Sequence, residues 1–330
     1  MKPRVIIGYH GHCFDGMSSA GLLTRFFREH QLGDVDMAYR GLDHQPGGSH
    51  VPDDLFQGDV HAVVDFRYSL SPKLDWWFDH HLTGLVGEAE EKHYTASDKS
   101  QKFFDPGYGS CCKLIADTCR VKFGWSAPEL SELVRWADII DTAGFENAET
   151  AVELKAPALQ LMSVIEVHGH DGFLAPRIER LSRGESIESL AGDTEVQTLL
   201  KPILEVNEMS REAIEQCAKE KNGVVSFDIS HLKSDRYNKF IPYWLFPDSQ
   251  YCVAVSVGKD RAKVSVGSNP WSPVPRTHNI SAICAQYGGG GHAVVGAVSF
   301  KPLEIARARQ VAAEIVETLE TPGTVAPQAV

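Results

Sequence analysis

The stretch Val5-Ile6-Ile7-Gly8-Tyr9-His10-Gly11-His12-Cys13-Phe14-Asp15-Gly16 decides how the rest of the chain is read. A short apolar run passes at once into a polar turn carrying imidazole, thiol and carboxylate. Residues 17–30 then place apolar side chains at helical spacing. Strand, turn and helix in that order open an α/β unit. Working outward, residues 60–66 and 74–78 read as further buried strands, and residues 110–123 and 127–140 as helices. Residues 195–220 form a long, charged, amphipathic helical stretch. Beyond Asn222-Gly223 the texture changes to strands at 224–229, 251–257 and 262–266. A helical stretch at 280–287, a glycine run, a strand at 293–300 and a helix near 303–319 follow.

The expected fold is α/β in two lobes. The N-terminal lobe has a mostly parallel sheet flanked by helices, and the smaller C-terminal α/β domain has a mixed sheet, with a helical connector between them. The boundaries on this reading are 1–190 for the first domain, 191–222 for the connector and 223–320 for the second. Residues 321–330, rich in Pro, Ala and Thr, are expected to fray.

Composition narrows the function classes. The 330 residues are 43% hydrophobic and 23% charged, as in ordinary globular proteins. A net charge of −12, from 32 basic and 44 acidic side chains, argues against a surface that coats long duplex nucleic acid. No apolar run approaches the roughly 18–20 residues of a membrane span. The start of the chain carries no signal-like apolar block, and seven irregularly spaced cysteines read as reduced thiols. A cytoplasmic protein with no membrane partner is expected.

Four acid and imidazole clusters fall at or just after predicted element ends. They are His10 to Gly16, Val64-Asp65-Phe66, Phe78-Asp79-His80-His81 and Ala137-Asp138-Ile139-Ile140-Asp141-Thr142. In a parallel sheet, ligands bind at the carboxyl ends of the strands. Carboxylate and imidazole together suit a divalent ion such as Mn²⁺. A carboxylate between two ions can bridge them, and a two-ion site clamps both oxygens of a phosphoryl transfer. Gly16 is expected to let the backbone approach a ligand, and a helix beginning near Met17 to offer amides to an anion. Each cluster alone reads as a cap or a solvated turn. Their recurrence at consecutive buried strands points to a metal site, since such groups are seldom buried unless paired or metal-bound.

Phe78-Asp79-His80-His81 resembles the name-giving motif of the DHH phosphoesterases. Asp65, Asp141-Thr142-Ala143-Gly144-Phe145 and the first cluster fall where that family keeps its other motifs. Gly288-Gly289-Gly290-Gly291-His292, with Gly296 after it, resembles the signature of the DHH-associated C-terminal domain. The resemblance runs from about Val5 to Phe300 and implies a metal-dependent phosphoesterase with a cleft between its lobes. It implies two Mn²⁺ ions, with Mg²⁺, Co²⁺, Fe²⁺ or Zn²⁺ as alternatives. Asp65 would bridge them, Asp15, His80 and Asp141 would complete one sphere, and His10 would bind the other ion. His81 would face the phosphate and Asp79 would support the imidazoles. Asp138 is the fallback for Asp141.

The chain departs from the family pattern at two places. Many members have Asp-x-Asp in the first motif, where Cys13 stands here, a poor match for Mn²⁺; His12 or His10 is the expected substitute. Many also have an arginine after the strand that ends at Val266, where this chain has Gly267-Ser268-Asn269-Pro270-Trp271. Asn269 or Arg276 would replace it, beside a phosphate nest of Gly289, Gly290, Gly291 and His292. Trp271 reads either as a base-stacking platform or as core.

The expected activity is hydrolysis of phosphoester bonds by a metal-activated water. The substrate would be a small nucleotide or a short single-stranded oligonucleotide, including a linear or cyclic dinucleotide. A pyrophosphatase or exopolyphosphatase is the enzymatic alternative, and a catalytically inactive nucleotide-binding scaffold the other. A homodimer is compatible with the sequence.

Overall fold

Runs such as Val60-His61-Ala62-Val63-Val64 and Trp76-Trp77-Phe78 are apolar on both alternating faces, the pattern of a strand covered on each side. A computed structural model describes residues 2–43, 50–234, 236–321 and 323. The chain divides into two compact units. One is Met1–Phe145 with Leu154–Leu200, the other Glu146–Glu153 with Lys201–Val330.

The first unit contains β1 (Arg4–His10), α1 (Phe14–Phe26), β2 (Asp36–Leu42), β3 (Val60–Val64), β4 (Trp76–Asp79), α2 (Glu88–Ala96), β5 (Lys102–Phe104), α3 (Cys111–Phe123) and α4 (Ser131–Asp141). After α5 (Ala148–Glu153) come α6 (Pro157–His168), α7 (Asp171–Ser182), α8 (Ile187–Ala191) and the long α9 (Thr194–Cys217). The strands form one sheet in the order β2-β1-β3-β4-β5, every pair parallel. Alternation along the strands separates two cores. Ile6, Val63 and Trp77 point into a cluster with Leu42, Leu55, Phe66 and Leu74. On the other face Trp76 and Phe78 join Phe26, Phe27, Phe103 and Phe123 in a chain of ring contacts. Trp77 is fully buried, and its indole N–H donates to the Phe66 carbonyl at 2.9 Å. Burying such a ring stabilises by roughly 2–3 kcal/mol, and the polar edge is satisfied.

The second unit contains β6 (Lys219–Lys221), β7 (Val224–Asp228), α10 (Ile241–Leu245), β8 (Tyr251–Val257), β9 (Ala262–Ser268), α11 (Ile280–Ala285), β10 (Gly290–His292), β11 (Val295–Phe300) and α12 (Ile305–Glu320). Its sheet runs β10-β11-β9-β8-β7-β6 and is mixed, parallel only at β7–β8. One face packs Val253, Val255, Val264 and Val266 against Ile280, Val311 and Ile315. The other packs Val225, Phe227 and Ala254 against Ile214, Ile241 and Tyr243.

The two-lobed α/β fold is as expected, with the first sheet wholly parallel. The segment 146–153, which the sequence places in the first domain, packs with the second unit. Ala148 and Val152 enter the cluster around Ile214 and Ile241. The Val152 and Ala151 carbonyls accept from the Asn207 and Asn238 amides at 3.0 and 2.8 Å. Residues 191–222 contain α9, and the division between the two units falls inside that helix, at Leu200 and Lys201. The tail expected to fray lies, but for Thr321 and Gly323, outside the described residues. Among the described residues no helix is long and apolar enough to cross a membrane.

Candidate metal centre

Parallel pairing brings the carboxyl ends of β1, β3 and β4 to one rim of the first sheet. His10 is the last residue of β1, Asp65 follows β3, and Asp79 ends β4 with His80 and His81 just beyond. The order β2-β1-β3 places the switch point between β1 and β3, where His10 and Asp65 emerge side by side. The turn after β1 leads into α1, whose first turn carries Asp15. Asp141 is the last residue of α4.

These side chains gather into two groups. Asp15, His80 and Asp141 form one, and His10, Asp65 and His81 the other; in each, the ligand atoms lie within 4.8 Å of one another. Asp65 stands between them. Its Oδ1 lies 3.4 Å from His80 Nε2 and its Oδ2 3.4 Å from His10 Nδ1. His80 Nε2 also lies 3.4 Å from Asp141 Oδ2 and 3.8 Å from Asp15 Oδ2.

Neighbouring backbone holds the ligands in place. Asp15 accepts from the Cys111 and Cys112 amides at 2.7 and 2.9 Å, so its carboxylate sits on the N-terminus of α3. His80 Nδ1 lies 3.1 Å from the Tyr108 carbonyl. A carbonyl only accepts, so Nδ1 carries a proton, and Nε2 is the nitrogen that faces the carboxylates and would bind a cation once deprotonated. Asp79 Oδ1 receives the His80 amide at 2.9 Å, the His81 amide at 3.2 Å and His81 Nδ1 at 2.7 Å. Gly84 makes room for that carboxylate: a Cβ there would come within 2.3 Å of Asp79 Oδ2. Asp65 adopts a left-handed backbone, φ 56°, which Asp tolerates better than most residues. Its own amide continues the ladder to the Phe78 carbonyl.

The electrostatics are those of a cation site. Burial pushes the Asp15 and Asp141 carboxyls up, and the neighbouring Asp65 adds to both. Burial would do the same to Asp65, but His10 and His80 outweigh it and hold that carboxyl low. Burial opposes charge on His80 and His81, yet Asp65 acting on the first and Asp79 on the second raise both imidazoles. Both oxygens of Asp65 and His80 Nε2 are buried without a hydrogen-bond partner among the described residues. Separations of 3.4 Å are long for a hydrogen bond. They match two ligand atoms about 2.1 Å from a shared cation, which stand roughly 3.0–3.4 Å apart at octahedral or tetrahedral angles. The donor set, oxygen with imidazole nitrogen, fits a divalent ion.

Several expectations are altered. His12 stands outside both groups: it is exposed, its backbone is left-handed at φ 53°, and its amide reaches the Gly169 carbonyl. Cys13 joins neither group, and burial with Asp65, Asp15 and Asp141 nearby pushes its thiol well up. Asp138 pairs with Lys113 at 3.0 Å, leaving Asp141 to complete the group. Gly16 makes room for protein, not ligand: a Cβ there would come within 2.2 Å of the His10 carbonyl, so glycine lets α1 close onto β1. That helix starts at Phe14, and the Met17 amide already bonds to the Cys13 carbonyl.

The second unit gives a mixed result. The Gly288 and Gly289 amides are spent on the Ala285 and Cys284 carbonyls. Gly290, Gly291 and His292 form the exposed edge strand β10, paired with β11. The glycines serve close approach, since a Cβ at Gly289 or Gly291 would come within 2.2 Å of the Ala297 or Val295 carbonyl. The Asn269 amide donates to the Pro247 and Ser249 carbonyls while its Oδ1 accepts from Trp271, a structural knot. Arg276 donates to the His278 and Ala293 carbonyls. Trp271 packs against Phe240 with the core around Ile241, the second of its two readings. The sequence reading missed the supporting backbone of Tyr108, Cys111 and Cys112, and Gly84. A carbonyl or an amide leaves no side-chain signal, whereas Gly84, three residues after His81, was a cue.

No family model and no curated protein matches the sequence. Solved structures do match the fold. PggH, a pGpG-specific phosphodiesterase from Vibrio cholerae, aligns over 96% of this chain and 100% of its own at TM-score 0.65 and 18% identity. A DHH-domain protein described as a member of a family of ribosomal proteins aligns over 97% and 88% at 0.57 and 14%. The exonuclease RecJ bound to manganese aligns over 96% and 90% at 0.55 and 11%. The chain has the DHH fold. In this chain Asp79 ends β4 with His80 and His81 just beyond; His80 turns to the Tyr108 carbonyl, while Asp79 and His81 bond to each other.

Proposed function

We propose that this chain is a divalent-metal-dependent phosphohydrolase acting on small nucleotides or short single-stranded oligonucleotides. One observation carries the reading: the two oxygens of Asp65, buried and without hydrogen bonds among the described residues, address different imidazoles in two adjacent ligand groups. A bridging carboxylate has that geometry. Asp15, His80 and Asp141 would hold one ion, and His10 with Asp65 the other. His81 lies in the second group, which supports a part in holding that ion as well as in facing the phosphate. Mn²⁺ is the first candidate on the chemistry of the donors.

Bound ions would supply Lewis-acid polarisation of the phosphate and a lowered pKa for an attacking water. The chain's own groups do the rest. Asp79 keeps a proton on His81 Nδ1, which leaves the ring's Nε2 as the nitrogen available to an ion or a phosphate. The Tyr108 carbonyl fixes the His80 tautomer in the same way. The α3 amides under Asp15 spread its charge and fix the orientation of its two oxygens.

The substrate class rests on charge and on likeness. At −12 the chain is poorly suited to phosphate contacts along a long strand. The full-length alignment with a pGpG phosphodiesterase supports a linear dinucleotide as the first substrate to assay. The test is a panel of pGpG, pApA, pAp, pyrophosphate and polyphosphate on protein reconstituted with Mn²⁺. Release of mononucleotides from the dinucleotides, with two ions bound per chain, is the expected result. Faster turnover of pyrophosphate would move the assignment to that class. Absence of bound metal and of turnover with Mn²⁺, Co²⁺ and Fe²⁺ would overturn it.

A further inference from the structure

The segment His168-Gly169-His170-Asp171 has the composition of a ligand set, yet belongs to neither metal group. Its bonds run elsewhere. Asp171 is the first residue of α7, where an aspartate commonly serves the positive end of its own helix. Here Asp171 Oδ1 instead accepts from the Tyr9 hydroxyl at 2.8 Å and from the Gly41 amide at 2.5 Å. Tyr9 is fully buried and immediately precedes His10. Gly41 lies on β2 opposite Tyr9, and a Cβ there would come within 2.9 Å of the same carboxylate oxygen.

Two residues earlier, the Gly169 carbonyl accepts from the His12 amide at 3.3 Å. Gly169 has no room for a side chain, with Ile165 O at 2.4 Å and His12 Cα at 2.7 Å from a Cβ placed there. On the other side of the turn, the Gly11 amide bonds to the Leu42 carbonyl at 2.9 Å. The peptide that carries His10 is therefore gripped from β2 and from the start of α7. The grip has a firm base, because Glu179 of α7 forms a paired 2.9 Å contact with Arg28 and a third bond with Tyr39.

We propose that Asp171 is a positioning residue for the metal centre. Through Tyr9 and Gly41 it fixes the end of β1, and so the place of the His10 imidazole beside Asp65. The inference rests on the metal-hydrolase reading and goes further, assigning one side chain outside both ligand groups to the ion that His10 serves.

The experiment compares wild type with Asp171→Ala, Asp171→Asn and Tyr9→Phe in the full chain. Mn²⁺ stoichiometry and affinity are measured by calorimetry and electron paramagnetic resonance, beside thermal unfolding without metal. Asp171→Ala should weaken one of two ions by about 10–100-fold, as losing a supporting group does, and leave the other near its wild-type affinity. Asp171→Asn keeps an oxygen that accepts both bonds and should restore most of the loss. Tyr9→Phe should weaken the same ion by a smaller factor, and decides the matter if Asp171→Ala does not fold. Both ions bound as in wild type by the folded variants, or both lost equally, would overturn the inference while leaving the hydrolase reading intact. A wild-type chain that binds no ion would sink both.

Discussion

Asp65 Oδ1 lies 3.4 Å from His80 Nε2, although the two residues leave the sheet from different strands. Among the described residues neither atom has a hydrogen bond, and the other oxygen of Asp65 holds the same distance from His10. Two acids and three imidazoles crowded around this carboxylate would repel or stay half-satisfied without a cation among them.

Asp65→Asn should therefore abolish high-affinity metal binding and reduce turnover by on the order of 10³-fold, because one change removes charge from both ligand groups. Asparagine is the informative replacement, since it also tolerates the left-handed backbone at this position. Metal content by elemental analysis and turnover under Mn²⁺ check this. A variant that retains two ions and near-wild-type turnover would remove Asp65 from the centre.

Asp79 touches His81 at 2.7 Å and acts through it. Asp79→Ala should lower kcat by about 10–100-fold with most metal retained, the usual scale for loss of an orienting partner. Gly84→Ala should reproduce part of that defect, because its Cβ would press on Asp79 Oδ2 from 2.3 Å. Steady-state kinetics on both variants test the link, and a Gly84→Ala enzyme of normal kcat would break it.

Metal-free protein should be more stable in mild acid than in base. The His80 imidazole is raised from 6.5 to about 10 by Asp65 and its neighbours against the cost of burial. Its contribution is full below pH 6.5 and is lost as pH rises through about 10. Burial and Asp65 raise Asp141 from 3.8 to about 6, so its contribution has the same sign and is lost earlier, through about pH 6. Asp65, held low, works in the opposite sense only below about pH 3.8. Melting curves of the chelated protein should fall in Tm between about pH 6 and 10. Added Mn²⁺ should raise Tm most at the basic end, where no protons need be displaced. A chelated protein whose Tm climbs across this range would contradict the assignment.

Gly16→Ala should destabilise the first unit by about 1–3 kcal/mol or prevent its folding, since its Cβ would meet a backbone carbonyl that cannot rotate away. Urea unfolding of the variant measures this. Gly290→Ala is the control, since nothing lies near a Cβ there.

Much of this was legible in the sequence because the signals were local. Apolar runs ending in Asp or His marked β1, β3 and β4, and the order of the motifs pointed to one rim. The edge strand β2 was missed because Asp36-Met37-Ala38-Tyr39-Arg40-Gly41-Leu42 is only half-buried and lacks alternation. Segment 146–153 was placed with its neighbours in sequence, while its apolar face belongs to the cluster around Ile214. The glycine run read as a nest of free amides, but two of those amides close a helix end and the next residues pair as a strand. His12 had the right chemistry for a ligand and lacked the geometry, because a left-handed turn takes its amide to Gly169. Asn269 had the right place for a clamp, and its amide is spent on backbone carbonyls that no motif encodes.

The wholly parallel sheet of the first unit has a practical corollary. Every candidate ligand borne by a strand end leaves by one rim, and the opposite rim, where the chain re-enters at Asp36, Val60, Trp76 and Lys102, carries none of them. The partly exposed stretch 97–100, which leads into Lys102, is thus the natural place to splice in a reporter peptide or to open the chain for permutation without disturbing turnover.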